Sequence, residues 1–216
     1  MNQALEAIKN EKIIAIIRGI PTSLILKTAQ SLLDGGIRLM EITFNQESAE
    51  TLQETVDSIR LVHEQLGDQV LLGAGTVMTP EQVDMAKECG ALYIISPNVE
   101  KDVIHRTREQ ELLSMPGAFT PSEIAEAYQA GAHIVKLFPA GLLGTAYLKA
   151  VRGPLSHIPM SAVGGIDAAN IADFLKAGAC CVGIGGSLVS RSRVLAGKFD
   201  EITEYAKTLV KAAAEE

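Results

Sequence analysis

Residues 130–139 read Ala-Gly-Ala-His-Ile-Val-Lys-Leu-Phe-Pro, in which a glycine that ends a helix is followed by a short apolar run and a turn. A short apolar run with such boundaries is typical of a parallel-sheet strand that is covered on both faces. Glycine-containing pairs at residues 35–36, 90–91 and 178–179 also end predicted helices and precede predicted strands. The stretch is therefore one copy of a repeated helix-and-strand unit.

The whole chain predicts eight strands that alternate with helices. This alternation favours a closed parallel (β/α)8 barrel, the TIM barrel of the α/β class, preceded by a short amphipathic helix over residues 2–10. An open doubly wound sheet is the alternative, but no G-x-G-x-x-G sequence follows the first strand. The predicted strands span residues 12–19, 37–43, 70–76, 93–96, 111–117, 133–139, 158–163 and 180–184. The predicted helices span residues 22–34, 48–65, 79–90, 99–109, 120–131, about two turns around Leu148, 167–178 and 198–213. Thr22 or Ser23 is the predicted cap of the helix at 22–34, and Asp167 is that of the helix at 167–178. Arg191 and Arg193 are expected to lie in a solvated loop.

The composition indicates one soluble globular domain over residues 1–216, because 47% of the residues are hydrophobic and 21% are charged. The net charge of −7 excludes the diffuse basic field that binds nucleic acid or anionic membranes, so neither partner is expected. No apolar run approaches the length of a membrane span, and the first residues lack the order of a signal peptide. The sequence therefore predicts a cytoplasmic protein.

The cysteines and histidines predict neither a disulfide framework nor a metal site. Cys89, Cys180 and Cys181 are an odd number of thiols, which suits reduced side chains in the core. The histidines at positions 63, 105, 133 and 157 show no metal-ligand spacing, which also disfavours a metal-dependent reaction. No cofactor is expected.

Lys136 is the charged residue within the apolar run quoted above. One interpretation is a lysine that extends its ammonium group into water along its own methylene stem. The other is a desolvated amine whose lowered pKa leaves part of it neutral near pH ~7, so that it attacks a ketone and forms a Schiff base. The residues at the ends of the other strands help to distinguish the two.

Polar residues also lie at the ends of other predicted strands, where parallel barrels place their active sites. Arg18 ends the first strand, Glu41 interrupts the apolar second strand, and Thr76 follows the glycines of the third. Glu41 is interpreted either as a general base or as half of a buried salt bridge. Thr76 either contacts a ligand, since the glycines let a ligand approach the backbone, or caps the next helix.

Glycine-rich turns follow the seventh and eighth strands, at Gly164-Gly165 and at Gly185-Gly186-Ser187. Backbone N–H groups that glycine leaves accessible bind anions when a helix N-terminus lies behind them. In barrels this position is the usual phosphate site. The two turns together therefore predict a site for a phosphate or a carboxylate.

At this point the motifs resemble one known family over nearly the whole chain. The motifs are Glu41-Ile42-Thr43, Gly73-Ala74-Gly75-Thr76-Val77, Ile95-Ser96-Pro97, Met115-Pro116-Gly117, Val135-Lys136-Leu137-Phe138-Pro139-Ala140, Val163-Gly164-Gly165 and Gly183-Ile184-Gly185-Gly186-Ser187. In order and spacing they are similar to the 2-keto-3-deoxy-6-phosphogluconate and 4-hydroxy-2-oxoglutarate aldolase family. The resemblance implies a trimeric class I aldolase barrel that cleaves 2-keto-3-deoxy sugar acids to pyruvate and an aldehyde.

The resemblance also implies a role for each matching residue. Lys136 would be the Schiff-base lysine and Glu41 the proton-transfer residue, while Arg18 or Thr76 would hold the substrate carboxylate. The remaining substrate-binding residues that we expect, with the glycines and the serine at the phosphate end, are Pro97, Phe138, Gly164, Gly165, Gly185, Gly186 and Ser187.

Two positions depart from the phosphogluconate-cleaving members, many of which have an arginine where this chain has Asn45 and a threonine where it has Val163. These residues are more similar to the galactonate-type branch and other divergent branches, so the resemblance leaves the substrate open. Two alternative functions also remain: a phosphate-binding isomerase or epimerase in which Lys136 is only an electrostatic clamp, and a catalytically silent sugar-phosphate-binding protein. The presence of both Lys136 and Glu41 argues against the silent protein.

Overall fold

The computed structural model describes residues 2–215, with side chains from residue 4 onwards, and its strands form one parallel sheet. The order of the strands is β5-β4-β3-β2-β1-β9-β8-β7-β6, so strands that follow each other in sequence are neighbours, except that β1 pairs with β9 and that β5 and β6 lie at the two ends of the order. This is the predicted (β/α)8 barrel. The strands are β1 Ile13–Ile17, β2 Leu39–Thr43, β3 Leu71–Gly75, β4 Tyr93–Ile95, β5 Leu113–Met115, β6 Gly117–Ala118, β7 Val135–Leu137, β8 Met160–Val163 and β9 Cys181–Ile184.

The barrel closes at Pro116, which separates the two end strands β5 and β6. Proline has no N–H to donate to a strand ladder, so the strand is interrupted there. His133 N donates to Ser114 O at 2.9 Å and Lys136 N donates to Pro116 O at 2.9 Å, which joins the β7 segment to both sides of the interruption. The fifth strand predicted over residues 111–117 is thus two short strands.

Helices alternate with the strands and pack on the outside of the barrel. The glycines that were expected to end helices do so in the left-handed conformation, with φ of 89° at Gly36, 94° at Gly90, 110° at Gly131 and 103° at Gly178. Among residues 2–215, no helix has the length and apolar character that a membrane span requires. The helices are α1 Asn2–Glu11, α2 Thr22–Asp34, α3 Ala49–Leu66, α4 Pro80–Glu88, α5 Lys101–Glu109, α6 Pro121–Gln129, α7 Ala140–Arg152, α8 Ile171–Lys176, α9 Arg191–Leu195 and α10 Phe199–Ala213.

The amino-terminal end of the barrel interior is filled with apolar side chains. Ile14, Leu39 and Tyr93 belong to one buried cluster with Ile8 of α1 and Cys181 of β9. Helix α1 thereby covers this end, and each fully buried aliphatic side chain contributes about 1.5–3 kcal/mol to stability. Because this end is filled, the space for a site lies at the carboxyl ends of the strands.

Two of the predicted helix caps are wrong. Helix α2 has Pro21, not Thr22 or Ser23, at its N-cap position. Asp167 does not cap α8, because its carboxylate accepts from Ala169 N at 2.9 Å, ahead of the helix. Thr22 and Ser23 lie inside the first turn of α2, whereas Asp167 lies ahead of α8, whose N-cap residue is Asn170.

Helix α7 is broken at Gly144, where φ is 74°, and the part after the break, which contains Leu148, is the predicted helix of about two turns. Another segment is more helical than predicted. The solvated loop predicted at Arg191 and Arg193 is wrong, since both residues lie in α9. Arg191 Nε donates to Gly19 O at 3.0 Å and Arg193 Nε lies 3.2 Å from Glu201 Oε2, so both arginines connect α9 to other segments of the chain.

Candidate active site

A cavity of about 570 Å³ opens at the carboxyl ends of the barrel strands. All of the predicted catalytic and substrate-binding residues line it except Glu41. Its lining also includes residues that the sequence analysis did not assign to a site. The residues that line the cavity are Ile16, Arg18, Thr76, Pro97, Lys136, Phe138, Val163, Gly164, Gly165, Ile166, Asp167, Gly183, Gly185, Gly186 and Ser187.

Lys136 lies in the middle of β7, and only 5% of its surface is exposed. Burial lowers the pKa of its ammonium group below the ordinary value of 10.5, because a buried charge is poorly solvated. The Glu41 carboxylate opposes this shift and the Arg18 guanidinium adds to it. Its Nζ atom lies 4.9 Å from the centroid of the Phe138 ring. The geometry is that of a desolvated amine, not of a lysine that extends into water.

Glu41 lies in β2 behind the cavity wall, with 1% of its surface exposed. Burial raises the pKa of its carboxyl group, while the positive charges of Lys136 and Arg18 act in the opposite direction. Among residues 2–215, no ion pair of 4.0 Å or less joins Glu41 to Lys136. The two groups therefore influence each other's proton affinity without forming a direct ion pair.

Gly73 and Gly75 make room for side chains of neighbouring strands. A β-carbon on Gly75 would overlap the Glu41 carboxylate, and one on Gly73 would overlap the Tyr93 ring. Tyr93 Oη in turn donates to Met40 O at 2.7 Å. The expectation that these glycines let a ligand approach the backbone is therefore wrong, since protein side chains occupy that space.

Arg18 and Thr76 lie together on one wall of the cavity. Arg18 Nη2 donates to Thr76 Oγ1 at 3.0 Å. Thr76 does not cap α4, because Thr79 is the N-cap residue there. A guanidinium beside a hydroxyl group presents several N–H donors and one O–H group, which is a suitable arrangement for a carboxylate.

The glycine-rich turns that follow β8 and β9 also line the cavity. Gly164 and Gly165 have φ of 88° and 75°, which favours glycine at both positions. Within the described part of the chain, the N–H groups of Gly165, Ile166, Gly186 and Ser187 find no hydrogen-bond acceptor. These four N–H groups are available to an anion that enters the cavity.

The prediction placed a helix N-terminus directly behind these turns, and the structure differs from it. Helix α8 begins six residues after Gly165, at Ile171, and α9 begins at Arg191, so neither turn continues directly into a helix. Instead, Asn170 Nδ2 donates to Gly165 O at 2.9 Å, and Asn170 Oδ1 accepts from Asp167 N at 3.0 Å. Side-chain hydrogen bonds, and not a helix N-terminus, hold the first turn in shape.

Asp167 is the charged residue of the cavity that sequence reasoning did not assign to the site. Its position after a strand suggested a helix cap, and no pattern in the sequence separates a cap from a residue that also borders a cavity. Ser187, which was assigned, borders the same region and donates from Oγ to Ile166 O at 3.3 Å. The distal end of the cavity therefore combines backbone donors with one carboxylate.

Asn45 lies outside this cavity. Its Nδ2 atom donates to Glu47 Oε2 at 3.2 Å, and its Oδ1 atom accepts from Glu47 N at 3.1 Å. It borders a second cavity of about 410 Å³ on the outer side of β1 and β2. Val163, the other departure, does line the main cavity.

A parallel barrel with a buried lysine in a cavity at the carboxyl ends of its strands defines an enzyme that acts on small molecules. The model of the KDPG and KHG aldolase family matches residues 5–205. This chain therefore belongs to the KDPG and KHG aldolase family, where KDPG is 2-keto-3-deoxy-6-phosphogluconate and KHG is 4-hydroxy-2-oxoglutarate.

Individual relatives agree with this assignment. A 2-dehydro-3-deoxy-6-phosphogalactonate aldolase of Escherichia coli strain K12 is 36% identical over 177 residues, 82% of this chain and 83% of that protein. A KHG/KDPG aldolase of the same strain is 34% identical over 187 residues, 86% of this chain and 84% of that protein. The crystal structure of a KDPG aldolase from Legionella pneumophila, with pyruvate captured as a covalent carbinolamine intermediate, superposes with a TM-score of 0.85 at 27% identity, over 95% of this chain and 97% of that one.

The protein is thus a class I aldolase, which is a lyase. The isomerase and the catalytically silent protein considered from the sequence are not supported by these relatives, which are named as aldolases.

Proposed function

We propose that this aldolase cleaves a 2-keto-3-deoxy sugar acid 6-phosphate, or 4-hydroxy-2-oxoglutarate, with Lys136 as the residue that forms the Schiff base. The products are pyruvate and an aldehyde, which is glyceraldehyde 3-phosphate or glyoxylate. The observation that carries the proposal is the buried amine of Lys136 in the main cavity, with its lowered pKa. The substrates in the names of the two Escherichia coli relatives support the substrate class.

The neutral amine of Lys136 adds to the C2 carbonyl of the 2-keto acid and gives a carbinolamine. Loss of water then leaves a protonated imine, which accepts electrons. When the C4 hydroxyl group loses its proton, the C3–C4 bond breaks, the aldehyde leaves, and the electron pair forms an enamine. Protonation at C3 and hydrolysis of the imine release pyruvate and restore the amine.

Glu41 is the proposed proton carrier for these steps. Its buried carboxyl has a raised pKa, which brings its proton affinity closer to neutral pH and suits a group that both accepts and donates protons. It would serve the loss of water from the carbinolamine, the C4 hydroxyl and C3 of the enamine, directly or through a water molecule. Its position behind the cavity wall, where it does not line the main cavity, is compatible with transfer through water.

The two walls of the cavity would hold the two ends of the substrate. Arg18 and Thr76, which are hydrogen-bonded to each other, would bind the carboxylate next to the ketone. The free N–H groups of the turns at 164–166 and 185–187 would bind the distal phosphate or carboxylate. Pro97 and Phe138 would pack against the carbon chain between them.

Two variants should distinguish binding of the substrate carboxylate from binding of its distal group in a pyruvate-release assay. Arg18→Ala is expected to raise the KM for every 2-keto acid about tenfold or more, because a charge-assisted hydrogen bond to the common carboxylate is lost. Ser187→Asp is expected to penalise phosphorylated substrates selectively, since the added charge repels a phosphate dianion.

The assay compares 2-keto-3-deoxy-6-phosphogluconate, its galactonate epimer, the unphosphorylated sugar acids and 4-hydroxy-2-oxoglutarate. If Ser187→Asp slows all of them equally, the glycine turns are not a phosphate site, and an unphosphorylated sugar acid or a dicarboxylate becomes the better substrate. Release of no pyruvate from any member of the panel would contradict the proposed substrate class as a whole.

We further propose that residues 1–216 act as one domain, that the chain assembles as a homotrimer, and that it works in the cytoplasm. The family resemblance implies a trimer, and large apolar side chains lie exposed near the carboxyl ends of β6 and β7. These are Phe119 and Leu142, the second of which is 86% exposed. A subunit contact would remove them from water. Light scattering should give a mass of about three chains, and a monomer mass would contradict the assembly.

A further inference from the structure

Two glutamine side chains hold the backbone that carries Thr76. Gln46 Nε2 donates to Thr76 O at 2.7 Å. Gln82 Oε1 accepts from Met78 N at 2.7 Å. The two amides are also joined to each other, since Gln82 Nε2 donates to Gln46 Oε1 at 2.8 Å. The two glutamine side chains therefore form hydrogen bonds with the backbone on both sides of Val77.

Val77 itself is held from the other side. Its N–H donates to Ile95 O at 3.2 Å, and its carbonyl accepts from Ser96 Oγ at 2.7 Å. With the two glutamines, every residue from Thr76 to Met78 has a backbone group held by another segment. A loop with so many hydrogen bonds has little freedom to change its conformation.

This rigidity matters because Thr76 has an unfavourable backbone conformation. Its φ of 53° lies in the left-handed region, which is uncommon for a β-branched residue and costs energy of the order of 1–3 kcal/mol. A residue keeps such a conformation only where its surroundings impose it. In this conformation Thr76 receives the hydrogen bond from Arg18 Nη2.

We infer that Gln46 and Gln82 are positioning residues, which fix Thr76 and through it Arg18 for the substrate carboxylate. This inference rests on the proposed function, in which Thr76 and Arg18 bind that carboxylate. Neither glutamine lines the main cavity, so both act through Thr76 and not through contact with the substrate.

Gln46 is the residue on which the inference is best tested. It lies on the loop between β2 and α3 and is exposed, whereas Gln82 is buried. An exposed loop side chain is a minor contributor to overall stability, so its loss leaves the fold intact. It is also a link between the strand that carries Glu41 and the loop that carries Thr76.

The test measures exchange of the C3 protons of pyruvate for deuterium by NMR, a reaction that needs the carboxylate-binding wall, the Schiff base and proton transfer by Glu41, but not the distal end of the cavity. Gln46→Leu is expected to raise the KM for pyruvate about fivefold to tenfold, the effect of one lost hydrogen bond, with kcat changed by less than about threefold. Gln53→Leu is the matched control, because within the described residues the exposed Gln53 side chain donates to Asp57 Oδ1 on the surface of α3, so its loss should leave both constants unchanged.

A double-mutant cycle separates positioning from general loosening of the structure. Thr76→Val removes the hydroxyl group while keeping the shape of the side chain. If Gln46 acts through Thr76, adding Gln46→Leu to Thr76→Val should change the pyruvate KM by less than about twofold. Independent, multiplicative effects, or an unchanged KM in Gln46→Leu, would overturn the inference. Failure of the proposed function looks different, because the unaltered protein would then exchange no pyruvate protons at all.

Discussion

Borohydride reduction in the presence of pyruvate is expected to attach the three-carbon unit covalently to Lys136 and to abolish turnover. The amine is buried and its pKa is lowered, so part of it is neutral and able to attack the ketone. Peptide mass mapping identifies the modified residue. Lys136→Arg is expected to show no measurable turnover, because a guanidinium keeps its proton and cannot form the imine.

Lys149→Arg is the matched control, since Lys149 is an exposed residue of α7 outside the main cavity. Modification at another lysine, or no modification, would contradict the role of Lys136. The pH dependence gives an independent check: kcat/KM should rise with pH as Lys136 loses its proton, with a midpoint below the ordinary lysine pKa of 10.5.

Glu41→Gln is expected to slow turnover by about 10²–10⁴-fold while the protein still folds and still binds a 2-keto acid. The amide keeps the size of the side chain over Gly75 but cannot carry a proton between the substrate atoms. Single-turnover kinetics with a 2-keto acid measures the loss, and circular dichroism shows whether the fold is retained. Glu64→Gln, on the exposed face of α3, is the control.

The competing explanation is that Glu41 serves stability through its charge. Breaking a buried ion pair destabilises a protein by about 3–5 kcal/mol, so this explanation predicts a large drop in melting temperature with nearly normal specific activity. The structure makes that outcome unexpected, because within the described residues Glu41 and Lys136 form no ion pair of 4.0 Å or less.

The fold was predictable because the local signals agree with one another. The glycine at each helix end needs a left-handed backbone, and this requirement appears directly in the sequence; Gly90 and Gly178 are examples. The interruption at Pro116 was missed because the apolar pattern is the same for an unbroken strand and for two short ones, although a proline inside a strand pattern is itself a signal of a break. Only the pairing of β5 and β6 with different neighbours separates them.

The residues around the cavity were predictable where they directly follow a strand, as with Arg18 and Thr76, because the carboxyl ends of parallel strands meet at one face. The space above Gly75 was not, since a glycine that admits a ligand and one that admits a carboxylate from the next strand are identical in the sequence. Gln46 and Gln82 were missed for a similar reason. Their amides form a hydrogen bond although they are 36 residues apart in the sequence, and no periodic pattern in the sequence predicts this contact.

The glycines in and beside the cavity differ in how much room each leaves for a new side chain. A β-carbon at Gly75 has no space, whereas one at Gly186 meets nothing within 4 Å and one at Gly185 meets only Ile16 at 3.8 Å. Neither Gly185 nor Gly186 has a positive φ. Both positions line the cavity, and new side chains there would find open space without strain on the backbone. An engineer could vary the aldehyde half of the substrate there and leave the chemistry at Lys136 untouched.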